Sequence, residues 1–339
     1  MRRFERCIGG YAGCGNLGDD AILQAYLQKL SRGERRQTVV LSGDPRRDSR
    51  RFGVKCVGRK NPFGVFFVFL RSECFLCGGG SLLQNGTGNL SLAYYLGLLW
   101  LARTCGCKTE ILAGGIGPIR GERAEKAVVR ELQKCRRIVL RDENSRRWLE
   151  ERGIRKGKMT VEEDPALRLR PPDEMRTLYL KKESGIPLER PYVCVVLRSG
   201  NGGCLQVIED TLKCLASEVG LMPVFLVFDE VQDAEITRTV CKNVGGITVR
   251  LREATDGLAM IAGCACLLSI RLHGLIFSTV AGVPAVGISP TEDEPKIASF
   301  CHAHGIPHFT PSQLTAENVA EKVAEKVAEK VAGLAPHPT

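Results

Sequence analysis

Short, wholly apolar runs alternate with mixed polar and apolar stretches along most of this chain. In residues 264–300, the apolar run 264–270 is too short for a free helix but long enough for a strand buried on both faces. Residues 274–281 then predict a helix that ends at Gly282, and residues 284–288 predict the next buried strand. This order of strand, helix and strand predicts a parallel βαβ unit.

The same unit carries the first candidate functional residues, Arg271 and His273, which follow the first strand directly. Both would lie at the carboxyl end of a parallel strand, the edge at which open α/β sheets bind their ligands. The free N–H groups of the helix start and the guanidinium of Arg271 would favour an anion there. The alternative is structural, with both side chains only capping backbone groups at the strand end.

The strand pattern recurs on both sides of a segment rich in proline and charge, residues 161–190. Glycine or charge gathers after each predicted strand, and we interpret the segment as a crossing between domains. We therefore predict an α/β protein of two doubly wound, Rossmann-like domains facing a cleft, with a C-terminal helix. The predicted strands are 6–11, 37–41, 74–77, 109–112, 138–140, 192–197, 224–227 and 247–251. The predicted domains are 1–170 and 191–311, with a linker at 171–190 and a docked helix at 312–333.

The first domain opens with G-x-G-x-x-G, residues 13–18, between a predicted strand and a helix at 19–30. This pattern is typical of dinucleotide binding, but Asp19 and Asp20 in the first helical turn would repel a pyrophosphate. No acidic residue follows at the spacing that holds a ribose. Residues 42–51 are polar and strongly basic, and we predict a loop there.

Composition narrows the class of partner. The formal net charge of the 339 residues is +10, which favours acidic partners: a nucleic acid, an anionic metabolite or a membrane surface. The N-terminus has no apolar signal segment, and 15 cysteines without one indicate a reducing compartment. Cys74 and Cys77 form a C-x-x-C within a predicted buried strand, without a second pair at metal spacing, so we predict no metal site.

Several motifs taken together resemble the polysaccharide pyruvyl transferase family, of the CsaB type. Their order and coverage, from about residue 9 to residue 300, carry the resemblance. The motifs are GYAGCGNLGDDAI at 10–22, GGGSLLQ at 78–84, GIGP at 115–118, Arg141-Asp142 with Ser145, DPA at 164–166, Arg271-Leu272-His273, and AGVP at 281–284.

The resemblance implies a GT-B-like pair of domains that transfers the enolpyruvyl group of phosphoenolpyruvate to a sugar, forming a pyruvate ketal and releasing phosphate. The expected acceptor is a lipid-linked precursor of a cell-surface glycan, often the secondary cell wall polymer that anchors surface-layer proteins. No cofactor beyond the donor phosphoenolpyruvate, no metal and no nucleic acid are expected. The expected location is cytoplasmic. Transient contact of residues 90–102 and 46–51 with the inner face of the cell membrane is an alternative to a buried helix and a solvated loop there.

The resemblance also implies roles for individual residues. A trianionic donor needs several fixed cations and few acids, so Arg271 and Arg198 would grip its carboxylate and phosphate. His273 would be the acid that protonates the methylene carbon, or the base for an acceptor hydroxyl. Arg141, the third expected catalytic residue, would face the cleft from the first domain and assist the acceptor or the phosphate. Lys296 takes the place of a family basic residue, after a turn at 289–296 that is longer and more acidic than the family pattern.

The remaining implied binding residues divide between the two domains. Leu272 lies between the two candidate catalytic residues of the second domain. In the first domain, two glycine-rich loops would shape the acceptor side through Gly15, Asn16, Asp19, Gly79 and Gly80. Two other classes of function remain open: a GT-B-type glycosyltransferase that uses a nucleotide sugar, and a non-catalytic binding protein.

Overall fold

The computed structural model describes residues 3–86, 88–200, 202–292 and 294–334. The chain divides into two compact units, Met1–Pro165 and Ala166–Thr339. In the described ranges each unit is built on one parallel sheet, with seven strands in the first and six in the second. Helices alternate with the strands along the chain. The predicted fold class, two α/β units with a C-terminal helix, is confirmed.

The first unit has its strands in the order β3-β2-β1-β4-β5-β6-β7. These are β1 (Phe4–Gly9), β2 (Thr38–Ser42), β3 (Lys55–Gly58), β4 (Ser72–Gly78), β5 (Lys108–Gly114), β6 (Arg137–Leu140) and β7 (Met159–Val161). The helices are α1 (Leu17–Gln28), α2 (Arg32–Arg36), α3 (Pro45–Phe52), α4 (Pro62–Leu70), α5 (Asn89–Thr104), α6 (Glu122–Gln133) and α7 (Glu143–Glu150).

The core of this unit covers both faces of its sheet. Cys7 and Phe75 pack on one face of the sheet with residues of α4 and α5, whereas their neighbours Ile8 and Leu76 pack on the other face with α1. Because both faces are covered, consecutive residues are buried at positions 7–9 of β1 and 75–77 of β4, and apolar and polar residues do not alternate there.

The loop predicted at residues 42–51 is wrong, because α3 occupies Pro45–Phe52. Asp44 caps the helix by accepting from the backbone N–H of Arg47 at 3.1 Å, and Pro45 stands at the first helical position. Gly53 ends the helix in the left-handed region, with φ of 64°. Four arginines conceal these signals, because charge density suggests a solvated loop.

The second unit has its strands in the order β10-β9-β8-β11-β12-β13. These are β8 (Tyr192–Val196), β9 (Met222–Leu226), β10 (Ile247–Val249), β11 (Cys266–Ser269), β12 (Ala285–Ile288) and β13 (His308–Phe309). The helices are α8 (Glu174–Glu183), α9 (Gly202–Cys214), α10 (Ala234–Val244), α11 (Ala254–Ala262), α12 (Leu272–Ala281), α13 (Pro295–Ala303) and α14 (Ala316–Leu334). The predicted βαβ unit is present as β11, α12 and β12, and Gly282 ends α12 with φ of 64°.

Segment 171–190, interpreted from the sequence as a linker, contains helix α8. The guanidinium of Arg176 donates through Nε to Oδ1 of Asp256, a buried residue of α11, at 2.8 Å. Thr177 donates from its hydroxyl to the carbonyl of Ala259 at 2.9 Å. These bonds attach α8 to the second unit.

Helix α14 covers the same unit at its C-terminal end. Val319, Ala320 and Val323 are buried in the core that α9 and β11 also line. Lys330 Nζ donates to the backbone carbonyl of Cys264 at 2.7 Å. Of the valines that recur in the Val-Ala-Glu-Lys tetrads, Val319 and Val323 are buried and Val327 is partly buried, whereas Val331 is 65% exposed.

In both sheets the order in which strands are added reverses at the first strand, and this topology positions the candidate site. In the first unit the chain builds β1, β2 and β3 outward and then returns to β4 on the other side of β1. In the second unit it builds β8, β9 and β10 outward and returns to β11 on the other side of β8. Ligands of open α/β sheets bind beyond the carboxyl ends of the strands at such a switch point.

Candidate active site

The predicted donor residues gather at the switch point of the second sheet. Strands β8 and β11 are parallel neighbours, with Val196 opposite Ser269. Arg198 follows β8, while Arg271, Leu272 and His273 follow β11. The structure thus brings both predicted arginines and the imidazole to one edge of one sheet.

Arg271 is held by an acidic residue that the sequence analysis did not identify. Its Nε lies 2.5 Å from Asp233 Oδ2, its Nη2 donates to Asp233 Oδ1 at 2.7 Å, and Nη2 is 3.9 Å from Asp229 Oδ2. The side chain of Asp233 is fully buried and that of Arg271 is 15% exposed. This side-on pair fixes the plane of the guanidinium and occupies its Nε edge. The Nη1 edge makes no hydrogen bond within the described part of the chain.

Asp233 also connects the two strand ends. The backbone N–H of Ser199, the residue after Arg198, donates to Asp233 Oδ1 at 3.2 Å. Arg198 itself is 43% exposed, and its Nη1 lies 3.8 Å from Glu294 Oε2. An exposed pair at this distance contributes little to stability, so Arg198 can exchange Glu294 for an anionic ligand.

The edge is more acidic than the resemblance implied. Three carboxylates, those of Asp229, Asp233 and Glu294, accompany the three candidate cations at this edge of the sheet. The cations are Arg198, Arg271 and Lys296. In the acidic turn before Lys296, Glu292 accepts from the backbone N–H of Ser312 at 2.7 Å. Asp293 of that turn lies outside the described residues. Lys296 lies half-buried in the first turn of α13.

The start of α12 packs closely on its own strand. Arg271 is the capping residue, and its backbone N–H donates to Ser269 Oγ at 3.1 Å. A Cβ added to Gly274 would lie 2.3 Å from Ser269 Oγ, a distance that no side chain can occupy. Glycine at this position therefore allows the first turn, with half-buried Leu272 and His273, to lie against the strand end.

In the first unit the two predicted glycine-rich loops meet at the other switch point. The carboxylate of Asp19, in the first turn of α1, packs against the turn that follows β4. A Cβ at Gly80 would lie 2.4 Å from Asp19 Oδ1 and one at Gly79 would lie 3.7 Å away. Gly79 and Gly80 have φ of 100° and 61°, and Gly15 has φ of 93°, so all three adopt conformations that favour glycine.

The donors at the start of α1 are used within the protein. Asn16 Oδ1 accepts from the N–H groups of Gly18 at 2.9 Å and Asp19 at 3.2 Å. The N–H of Gly13 donates to Asp20 Oδ1 at 2.8 Å, and Arg51 pairs with Asp20 Oδ2 at 2.5 Å. These are the donors that a pyrophosphate would need, so the geometry argues against a dinucleotide in this loop. No group of three or more His, Cys, Asp or Glu in the described ranges is placed to hold a metal ion.

The side chain of Arg141 is almost completely buried, so little of it is accessible to a substrate that arrives from solvent. Its Nη2 donates to Ser81 Oγ at 2.9 Å, and its Nη1 lies 3.2 Å from Asp164 Oδ2. The side chains of Arg141 and Asp164 are 9% and 7% exposed. Arg141 therefore ties the turn that begins at Gly79 to the end of the first unit.

Arg59 is a candidate that the sequence analysis missed. It follows β3, donates from Nη2 to the hydroxyl of Tyr95 at 3.0 Å, and places Nη1 3.2 Å from Cys14 Sγ in the first glycine-rich loop. Its guanidinium also stacks 4.9 Å from the ring centre of Tyr94 and 5.2 Å from that of Tyr11. None of its contacts within the described residues is a carboxylate. The feature of the sequence that could have identified Arg59 is its position directly after a strand, as for the other candidate residues.

Comparison with known proteins gives a family and a fold. The family model described as "Polysaccharide pyruvyl transferase" matches residues 16–292. No curated protein sequence matches the chain.

Several solved structures share the fold over almost the whole chain. UDP-GlcNAc 2-epimerase from Neisseria meningitidis, bound to UDP-GlcNAc, has a TM-score of 0.60 at 11% identity, covering 96% of this chain and 92% of that one. The Methanocaldococcus jannaschii UDP-GlcNAc 2-epimerase has 0.63 at 9%, covering 95% and 92%. ADP-heptose lipopolysaccharide heptosyltransferase II from E. coli has 0.57 at 13%, covering 97% and 99%. At these identities the likeness concerns the fold alone, and it confirms the predicted GT-B-like class.

Proposed function

The chain belongs to the polysaccharide pyruvyl transferase family and is therefore a transferase, and on that premise we propose phosphoenolpyruvate as its donor and a lipid-linked glycan precursor as its acceptor. One observation carries the assignment of the donor site: Arg198, Arg271 and His273 meet at the switch point of the second sheet. The product is a pyruvate ketal on the glycan, and phosphate is released. A secondary cell wall polymer that anchors surface-layer proteins is the class of glycan we propose.

The donor's carboxylate and phosphate would contact two kinds of cation: one whose charge is offset by buried carboxylates, and two that supply net positive charge. Arg271, fixed by Asp233, offers its Nη1 edge as an oriented pair of donors, but the buried carboxylates offset its charge. The net positive charge for a trianion must therefore come from Arg198 and Lys296. Leu272 supplies apolar contact beside the three-carbon skeleton.

The reaction moves protons as well as carbon. The methylene carbon gains a proton, two sugar oxygens bond to the adjacent carbon, and the bond from that carbon to the phosphate oxygen breaks. The two hydroxyl protons balance the new methyl C–H and the released hydrogen phosphate. His273 carries a proton in this scheme, as the acid towards the methylene carbon or the base towards a hydroxyl, because an imidazole can donate or accept a proton.

The acceptor binds to the first unit in this proposal. Gly15, Asn16 and Asp19 shape one wall at its switch point, and the turn of Gly79 and Gly80 shapes the other. Arg141 acts as a positioning residue, because its contacts hold that turn.

We propose Arg59 as the cation for the phosphate of a lipid-linked acceptor. Tyr94 donates to its carbonyl at 2.8 Å, and two further tyrosines and a thiol hold its guanidinium. It is fixed in place without a carboxylate to neutralise it, which suits an anionic ligand.

The test is to incubate the purified protein with phosphoenolpyruvate and a panel of lipid-linked and aryl amino-sugar acceptors, and to follow phosphate release. We expect release only with donor and acceptor together, and phosphoenolpyruvate should raise the Tm. A rise in Tm with UDP-GlcNAc and none with phosphoenolpyruvate would favour the nucleotide-sugar glycosyltransferase. No acceptor-dependent release, with no ligand raising Tm, would favour the binding protein.

A further inference from the structure

Helix α4 presents large apolar side chains to solvent as well as to the core. Phe63, Phe66, Phe67 and Leu70 are 77%, 41%, 58% and 45% exposed. Their spacing of i, i+3, i+4 and i+7 places them on one face of the helix. Together with Leu90 and Trp100 of α5, which are 88% and 54% exposed, they form what we call the outer apolar face.

Folding of the first unit does not require this face. Val65, Val68 and Phe69 on the opposite side of α4 already pack in the core. Of the twelve exposed large hydrophobic residues in the described ranges, six lie on these two helices, which contact each other. Such a concentration of exposed apolar side chains is typical of an interaction surface, whereas exposed apolar residues without a function are usually scattered singly over the surface.

The charges around the face favour one kind of partner. Helix α4 contains no charged residue, and exposed Lys60 and Arg71 flank it at its two ends. The exposed positions Leu90, Ala93, Gly97 and Trp100 of α5 are also uncharged. Aromatic side chains between cationic flanks match the interface of a bilayer with anionic headgroups. A second copy would bring the same Lys60 and Arg71 and a net charge of +10, and would be repelled.

We propose that the outer apolar face docks on the surface of an anionic lipid bilayer. The helices would lie on the bilayer, because none of the described helices has the length and apolarity needed to span one. Phe63, Phe67 and Trp100 would enter the boundary between headgroups and acyl chains, and Lys60 and Arg71 would contact the phosphates.

Helix α5 links this surface to the proposed acceptor side. Tyr94 and Tyr95 on its inner side hold Arg59, while Leu90 and Trp100 lie on its outer side. Docking would bring the Arg59 cluster close to headgroup level, where the phosphate of a lipid-linked acceptor lies. The link between docking and acceptor binding rests on the proposed function, whereas the docking itself is inferred from the exposed residues of α4 and α5 alone.

The test is co-sedimentation of the whole protein with vesicles of phosphatidylcholine alone and of equal parts phosphatidylcholine and phosphatidylglycerol. We expect binding to the anionic vesicles, and a loss of about tenfold or more in partitioning for the double variant Phe63→Ser/Phe67→Ser. Lys60→Glu/Arg71→Glu should also weaken binding. The matched control Met175→Ser/Leu188→Ser replaces exposed apolar residues of the second unit and should bind like wild type.

Three outcomes would overturn the proposal. They are wild-type protein that stays in the supernatant, equal binding by Phe63→Ser/Phe67→Ser, and a wild-type dimer in sedimentation analysis that this variant converts to a monomer. Turnover of a water-soluble aryl acceptor should be unchanged in the variant, which also confirms its fold. Failure of turnover with every acceptor by wild type would count against the proposed function and leave the docking result standing.

Discussion

Replacing Asp233 with asparagine should destabilise the second unit and loosen the proposed donor site. The buried carboxylate forms an ion pair with Arg271 Nε at 2.5 Å, and it accepts hydrogen bonds from Arg271 Nη2 and from the backbone N–H of Ser199. Asparagine has the same shape but only one acceptor oxygen, and its NH₂ group would meet a guanidinium N–H. The charge of Arg271, 15% exposed, would then lack its main compensation.

The size of the effect follows from this geometry. Removing one partner of a buried ion pair costs about 3–5 kcal/mol, and the partial exposure of Arg271 places the cost near the lower end, at about 3 kcal/mol. For a unit of this size we expect Tm to fall by roughly 6–12 °C. Asp210→Asn on the surface of α9 is the control, and should change stability by less than about 0.5 kcal/mol.

The assay is urea unfolding of the wild type, Asp233→Asn, Arg271→Met and the double variant. Because the two residues form one pair, we expect the double variant to lose about 2 kcal/mol less than the sum of the single losses. Phosphoenolpyruvate should also protect Asp233→Asn less against heat. Additive losses, or a wild-type free energy of unfolding in Asp233→Asn, would refute the view that this carboxylate fixes Arg271.

Three further predictions test other parts of the account. Gly274→Ala should cost about 1–3 kcal/mol and lower kcat, because its Cβ would meet Ser269, whereas Gly97→Ala, with open space around it, should be neutral or stabilising by urea unfolding. Arg59→Gln should raise KM about tenfold or more for a phosphate-bearing acceptor and leave that of an aryl acceptor unchanged; equal KM values would exclude the phosphate contact. Burial lowers the pKa of His308, so the unfolded state binds more protons than the folded state from the folded pKa up to about pH 6.5. The stability that a neutral imidazole contributes is therefore full above that pH and lost below it, and His308→Gln should flatten this part of the urea-midpoint profile.

The sequence predicted the elements that a buried parallel sheet requires. The apolar run at residues 264–270 predicted β11, and Gly282 marked the end of α12, because both signals are local. The helix at Pro45–Phe52 was missed because its caps, Asp44 and Gly53, lie among four arginines. Element type was thus predictable where one local signal dominated.

The partners of the candidate residues were not predictable, because they depend on the order of strands in the sheet. Asp233 follows β9 and Arg271 follows β11, and they meet only because β8 lies between those strands. The same reason hides the pairing of Arg141 with Asp164 and the contact of Arg59 with Cys14. Periodicity and spacing along one chain carry no information on which strand ends become neighbours.

The most direct test of the central claim is to measure pyruvylated acceptor and released phosphate together, for wild type and His273→Ala. We predict equal amounts of both products from phosphoenolpyruvate, and a fall in turnover of about a hundredfold or more in His273→Ala with the fold retained. His302→Ala, at an exposed position of α13, is the matched control and should turn over like wild type. Full turnover by His273→Ala, or product formed from a nucleotide sugar and not from phosphoenolpyruvate, would contradict the account.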